Sequence, residues 1–153
     1  MIVLSPFFHI YTFQATDPTA SPTNSSPGQC FATRTELKTA VDDYVIQDCP
    51  ANNNCTVAVT YGFPMNSWCT GDVTRMNQLF INMNTFNEDI SGWNVSSVTN
   101  MYRIFYNAES FNSDLSSWDT SNLLGMNEMF YNANAFESDL SGKCMLFEFI
   151  RVS

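Results

Sequence analysis

From Pro64 onward the apolar positions recur at a fixed interval. Trp68, Trp93 and Trp118 are 25 residues apart, as are Met76, Met101 and Met126, Phe80, Phe105 and Phe130, and Phe86, Phe111 and Phe136. Polar columns keep the same register: Asn82, Asn107 and Asn132; Asp89, Asp114 and Asp139; Ser91, Ser116 and Ser141. Seven columns held over three copies mark a repeat architecture, in which each unit buries its apolar face against its neighbours. Within one copy Met101, Ile104, Phe105 and Ala108 fall at i, i+3, i+4 and i+7, the spacing of one helical face. Met76, Leu79, Phe80 and Met83 form the stripe before it, and Met126, Met129, Phe130 and Ala133 the stripe after it. The pattern predicts one helix of about two to three turns per repeat. Thr74, Ser97 or Thr99, and Ser121 are the expected N-caps. Asn82, Asn107 and Asn132 then stand near helix ends, where Asn tolerates a left-handed backbone.

The other half of each unit has a different rhythm. Ile90-x-x-Trp93-x-Val95-x-x-Val98, Leu115-x-x-Trp118-x-Thr120-x-x-Leu123 and Met65-x-x-Trp68-x-Thr70-x-x-Val73 share the L-x-x-L-x-L spacing of the leucine-rich repeat. In that frame the W-x-V stretch is a short strand, and stacked copies make a parallel sheet backed by helices. The expected fold class is α/β, a leucine-rich-repeat-like right-handed solenoid of about three 25-residue strand-plus-helix repeats with an N-terminal helical cap. In the cap, Leu37, Ala40, Val41, Tyr44 and Val45 predict a helix over Thr35 to Ile46, and alternation around Val57 and Val59 predicts a strand over Thr56 to Thr60. The expected domain organisation is a tail at 1–29, a disulfide-stapled cap at 30–63, the repeats at 64–142 and an irregular tail at 143–153.

The repeat pattern F-N-x-D-I/L-S-x-W-x-V/T-S-x-V-x-x-M-x-x-x-F resembles the BspA-like leucine-rich-repeat surface proteins, and Phe86-Asn87, Asp89-Ile90-Ser91 and Trp93 carry the match in one copy. The resemblance spans Pro64 to Gly142, about half of the chain. It implies a secreted or surface-anchored, non-catalytic adhesion or recognition role without identifying a ligand.

Cysteine usage adds a compartment. Cys30, Cys49, Cys55 and Cys69 cluster without C-x-x-C spacing, which suits two disulfides better than zinc and leaves three pairings open. A disulfide could close the Cys49–Cys55 loop, and Cys69 could tie the cap to the first repeat; Cys144 lies apart in the C-terminal segment. Sequons at Asn24, Asn54 and Asn94 are possible glycosylation sites, which with the cysteines tilts the reading towards an oxidising, extracellular or cell-surface location. Met1 to Ala15 is apolar but lacks a basic start and is broken by Pro6, a weak match to a signal peptide. Gln14 to Gln29 has the Pro, Ser, Thr and Asn content of an extended linker. At the other end Lys143 stands where the repeat calls for Trp, and the segment after it suggests truncation.

Fifteen acidic against six basic residues give a formal charge of −9, which disfavours nucleic acid and anionic membranes as partners. No apolar run approaches the roughly 20 residues needed to span a bilayer. His9, the single histidine, lies in the N-terminal tail, so a Ser–His or Cys–His site within the fold is excluded. No Gly-rich phosphate loop, nucleophile elbow or metal-ligand spacing appears, and no cofactor or metal is expected. The Trp, Met and Phe columns read as core rather than as an aromatic platform. The Asp89, Asp114 and Asp139 column reads as turn-forming rather than calcium-binding. Glu88 and Glu137 make the same edge acidic, but no carboxylate pair is set apart for glycoside hydrolysis. The expected interaction face is the outward side of the strand region, Asn66, Ser67, Asn94, Ser96, Ser117, Asp119 and Ser121, small polar residues suited to a protein or glycan partner at the cell surface. A purely structural spacer or coat role is the alternative, with a carbohydrate-active enzyme using the acidic edge and a truncated gene fragment as lesser ones.

Overall fold

A computed structural model gives the arrangement and describes residues 28–52 and 54–138. The cap begins with α1, Arg34–Ile46. Thr33 opens it in an extended conformation with its hydroxyl accepting from the Glu36 N–H at 3.2 Å. Glu36 reaches back in turn to accept from the Ala32 N–H at 3.0 Å, so side chains satisfy donors the helix start leaves orphaned. Leu37, Ala40, Val41 and Tyr44 form the buried face.

The segment expected as a strand over Thr56 to Thr60 is a helix, α2 (Thr56–Tyr61). Two valines in alternation over so short a stretch do not distinguish a strand from one helical turn. Here Gln47 decides: its side-chain Oε1 accepts from the Thr56 N–H at 2.9 Å and from the Thr56 hydroxyl at 3.0 Å. Val57 is buried, and Gly62 ends the helix at φ 98°, a backbone that side chains rarely adopt. Cys49 is bonded to Cys55 across the loop between the helices, and Cys30 to Cys69 between the cap and the first repeat. The Phe31 N–H donates to the Cys69 carbonyl at 3.0 Å, and the Arg34 guanidinium to the Asn77 carbonyl at 2.9 Å, extending that junction.

The repeats are not the strand-plus-helix units the spacing suggests. Among the described residues they contain no α-helix and no strand, only a 3-10 turn at Met65–Ser67 and isolated parallel bridges linking Arg75, Asn100 and Gly125. The α/β leucine-rich-repeat solenoid is therefore not supported; among the described residues, what lies outside the cap is coil and turn. The backbone hydrogen bonds supply the reason. Ile104, Tyr106 and Ala108 donate to Met101, Arg103 and Phe105, three residues back, which closes a chain of β-turns. The residues between them donate outward: Met101, Arg103, Phe105 and Asn107 bond the carbonyls of Gly125, Asn127, Met129 and Tyr131 in the next repeat, at 2.7–3.1 Å. Met76, Gln78, Phe80 and Asn82 do the same to Asn100, Tyr102, Ile104 and Tyr106. A helix would direct all these donors to carbonyls four residues back. The alternation requires left-handed residues, found at Gln78, Arg103 and Glu128 (φ 53–58°) and at Asn82, Asn107 and Asn132 (φ 54–60°). A left-handed backbone costs about 1–2 kcal/mol at residues with a Cβ, offset here by hydrogen bonds between repeats.

The inward side chains follow the sequence columns even so. Trp68, Trp93 and Trp118 are buried, with their indole N–H groups donating to the carbonyls of Gly62, Met65 and Ile90 at 2.9–3.2 Å. Phe80, Phe105 and Phe130 lie 5.3 Å apart ring to ring and within 12° of parallel. Phe86, Phe111 and Phe136 form a second column at 5.9–6.1 Å. Tyr44 from α1 meets Trp68 edge-on at 5.6 Å, joining the cap to this core. His9, Asn24, Asp139, Ser141, Cys144 and the tails at 1–27 and 143–153 lie outside the described residues.

Candidate functional site

Hydrogen-bonding capacity that the fold itself does not use is where a ligand can bind. Most of the expected interaction face is engaged internally. Asn66 donates to Asp89 at 2.9 Å and accepts from the Gly92 N–H. Ser67 donates to the Pro64 carbonyl at 2.7 Å, and Ser117 to the Ser91 carbonyl at 2.6 Å. The Asn94 side-chain oxygen accepts from the Ser96 N–H and hydroxyl at 3.1 and 2.8 Å, and Asp119 accepts from the Ser121 N–H at 3.0 Å. These residues close turns and join neighbouring repeats. The Asn94 amide also fills the space beside Gly71, where an added Cβ would lie 2.9 Å from its nitrogen, so the sequon there is crowded. Asn54 is exposed beside Cys55.

The acidic column holds its own turns. Asp89 accepts from the Ser91 N–H at 2.9 Å and Asp114 from the Ser116 N–H at 2.8 Å; the latter bond keeps the Asp114 carboxyl below its ordinary pKa. Among the described residues no group of three or more His, Cys, Asp or Glu side chains is placed to hold a metal ion. Glu137 accepts nothing there but donates its N–H to Asn112 at 3.0 Å. Burial, with the Asp48 charge adding to it, raises the Glu88 carboxyl above its usual pKa, against the neighbouring Tyr44 hydroxyl, which lowers it. Burial and the Glu88 charge raise that hydroxyl in turn.

A half-exposed aromatic patch was not anticipated from the sequence. Tyr106 and Tyr131 are stacked at 4.8 Å and 9°, and the Arg103 guanidinium lies 4.9 Å from the Tyr102 and Tyr106 ring centres. Tyr and Arg are common interface anchors. Here Arg103 is already paired with Glu128 at 2.8 Å, and the stacked rings cover each other's faces.

The cap differs. A groove of about 520 Å³ lies between α1 and α2, a volume within the usual range for a small-molecule site. Its α1 wall carries Thr35, Thr39 and Asp43, at i, i+4 and i+8, hence on one face at about 6 Å per step. Thr35 and Thr39 are exposed and Asp43 is half-buried, and none of the three side chains bonds another described residue, which leaves them to solvent or a ligand. Buried Ala40 and Val57 form the apolar floor. The facing wall carries Thr56 and Thr60, whose hydroxyls donate to Gln47 and to the Thr56 carbonyl and retain acceptor capacity. Tyr61 also lines the groove, donating to Glu36 at 3.3 Å. The only sequence signal for this site was the Thr35, Thr39, Asp43 spacing beside the buried stripe of α1; the second wall depends on α2 being a helix.

These features define a repeat protein with a disulfide-bonded helical cap. A protein-family profile described as "Mycoplasma protein of unknown function, DUF285" matches residues 51–145, more than half of the chain, and the chain belongs to that family. This overturns the resemblance to BspA-like leucine-rich-repeat surface proteins, for which the family match gives no support. No curated protein and no solved structure matches the chain.

Proposed function

We propose that this chain is a non-enzymatic recognition module of an oxidising, extracellular or cell-surface setting, and that it engages a protein or glycan partner through the groove between α1 and α2. The observation that carries this reading is the row of unpartnered groups, Thr35, Thr39 and Asp43, on a wall that the rest of the cap holds in place. The Cys49–Cys55 bond closes the loop between the walls and Glu36 fixes Tyr61, so little ordering cost remains for binding. Two disulfides support the compartment, since such bonds persist in oxidising surroundings. No helix among the described residues is long and apolar enough to cross a membrane. The strongly acidic charge speaks against nucleic acid as the partner. For the non-enzymatic part, the support is that Asp89 and Asp114 are engaged with their own turns.

A spacer role is the second reading, favoured by the repeat flank directing its polar groups to its own turns and neighbours. Screening the oxidised chain against arrays of glycans and extracellular proteins separates the two. Saturable binding lost in a Thr35→Val, Thr39→Val double variant supports recognition through the groove. Absence of any saturable binding supports the spacer.

A further inference from the structure

We propose that the groove takes a neutral, hydroxyl-rich sugar, read by Thr35, Thr39 and Asp43; this deepens the recognition reading above and rests on it. The donor and acceptor inventory selects the ligand class. Thr35 and Thr39 each offer a free hydroxyl, able both to donate and to accept, and Asp43 offers two oxygens that accept. Across the groove Thr56 and Thr60 have directed their protons elsewhere and present lone pairs. A ligand that satisfies both walls must therefore supply many donors and some acceptors. Sugar hydroxyls do both, and two adjacent hydroxyls can share one carboxylate. A lysine or arginine side chain supplies donors alone and cannot itself accept from the threonine hydroxyls. An anionic sugar would face the Asp43 and Glu36 carboxylates in a chain of net charge −9. Ala40, Val57 and the threonine methyls give the apolar floor against which a sugar ring packs its C–H face. Glu36, the other carboxylate lining the groove, accepts from the Ala32 N–H and the Tyr61 hydroxyl, so Asp43 is the carboxylate left for the ligand.

The test is calorimetric titration of the oxidised full chain with a panel of neutral oligosaccharides, with sialylated and sulfated sugars and oligolysine as comparison probes. At least one neutral oligosaccharide is expected to bind, with affinity falling about ten-fold or more in Asp43→Asn and in Thr39→Val while the melting temperature is unchanged. Neutral-sugar binding that neither variant weakens overturns the site while leaving glycan recognition standing. Binding of oligolysine alone, weakened by Asp43→Asn, overturns the sugar class but keeps the groove. Preference for the acidic sugars overturns the charge argument. No binding of any probe overturns the sugar assignment, and the array screen above then decides whether the recognition reading falls with it.

Discussion

Replacing Phe105 with alanine removes the ring at the centre of the core. Phe105 is fully buried and lies 5.3 Å from Phe80, 3.9 Å from Phe111 and 5.3 Å from Phe130, within 12° of parallel to all three. A buried Phe→Ala change costs about 3–5 kcal/mol through lost transfer energy and the cavity left behind. Each well-oriented aromatic pair adds about 0.5–1.5 kcal/mol beyond area, which places Phe105 at the upper end, about 4–5 kcal/mol. That is a large part of the roughly 5–15 kcal/mol by which a domain of this size is stable. Urea denaturation of the oxidised protein, monitored by tryptophan fluorescence, measures the loss. Leu124→Ala, at a side chain 86% exposed, serves as the control and is expected to change stability by less than about 0.5 kcal/mol. A Phe80→Ala, Phe105→Ala cycle is expected to show coupling of about 0.5–1.5 kcal/mol. A Phe105→Ala loss below about 1.5 kcal/mol, or one equal to that of Leu124→Ala, would refute the ring column as the core.

Removing the disulfides separates their loop contributions. The Cys30–Cys69 bond spans 39 residues and the Cys49–Cys55 bond 6, so the chain-entropy relation gives losses of about 4 and about 2 kcal/mol for the paired alanine variants, read from denaturation midpoints at constant slope. Asn107→Ala is expected to cost about 2 kcal/mol, because Asn107 sits at φ 56° and its amide links Asn82 and Asn132 at 2.8 and 3.0 Å. Asn107→Gly, which tolerates that φ, should cost about half as much. Glu88 has a folded pKa above its ordinary value, so the folded state binds the proton more tightly and stability falls as pH rises through the window above about 4.5. Glu88→Gln should therefore be more stable than wild type at pH 7, with the gap closing as pH falls below that ordinary value; an equal gap at pH 3 and pH 7 would contradict the linkage.

The inward positions were legible in the sequence because burial depends on side-chain chemistry at a fixed register. Met101, Ile104, Phe105 and Ala108 all point into the core, as their spacing implies. The local conformation was not legible, because turns that alternate internal and outward N–H bonds present the same i, i+3, i+4 stripe as a helix. Of the left-handed residues that distinguish them, Asn82, Asn107 and Asn132 are of a type that tolerates such a backbone but also fits a helix end, and Gln78, Arg103 and Glu128 are of types that do not mark it. In the cap, α1 was readable from a long stripe, whereas α2 follows from Gln47 and the neighbouring disulfide, contacts made through tertiary structure. That so much of the expected interaction face is engaged internally was hidden for a similar reason. Small polar residues look the same in sequence whether they meet solvent or an adjacent repeat, and Ser117 and Asn122 bond carbonyls 26 residues back.

The claim that binding belongs to the cap groove and not to the repeat flank is tested most directly by amide chemical-shift mapping. The isotope-labelled, oxidised chain is titrated with the neutral oligosaccharide panel. The account predicts that shifts cluster at Thr35, Thr39, Asp43 and Thr60; shifts concentrated instead at Asn94, Ser117 and Ser121 would contradict it.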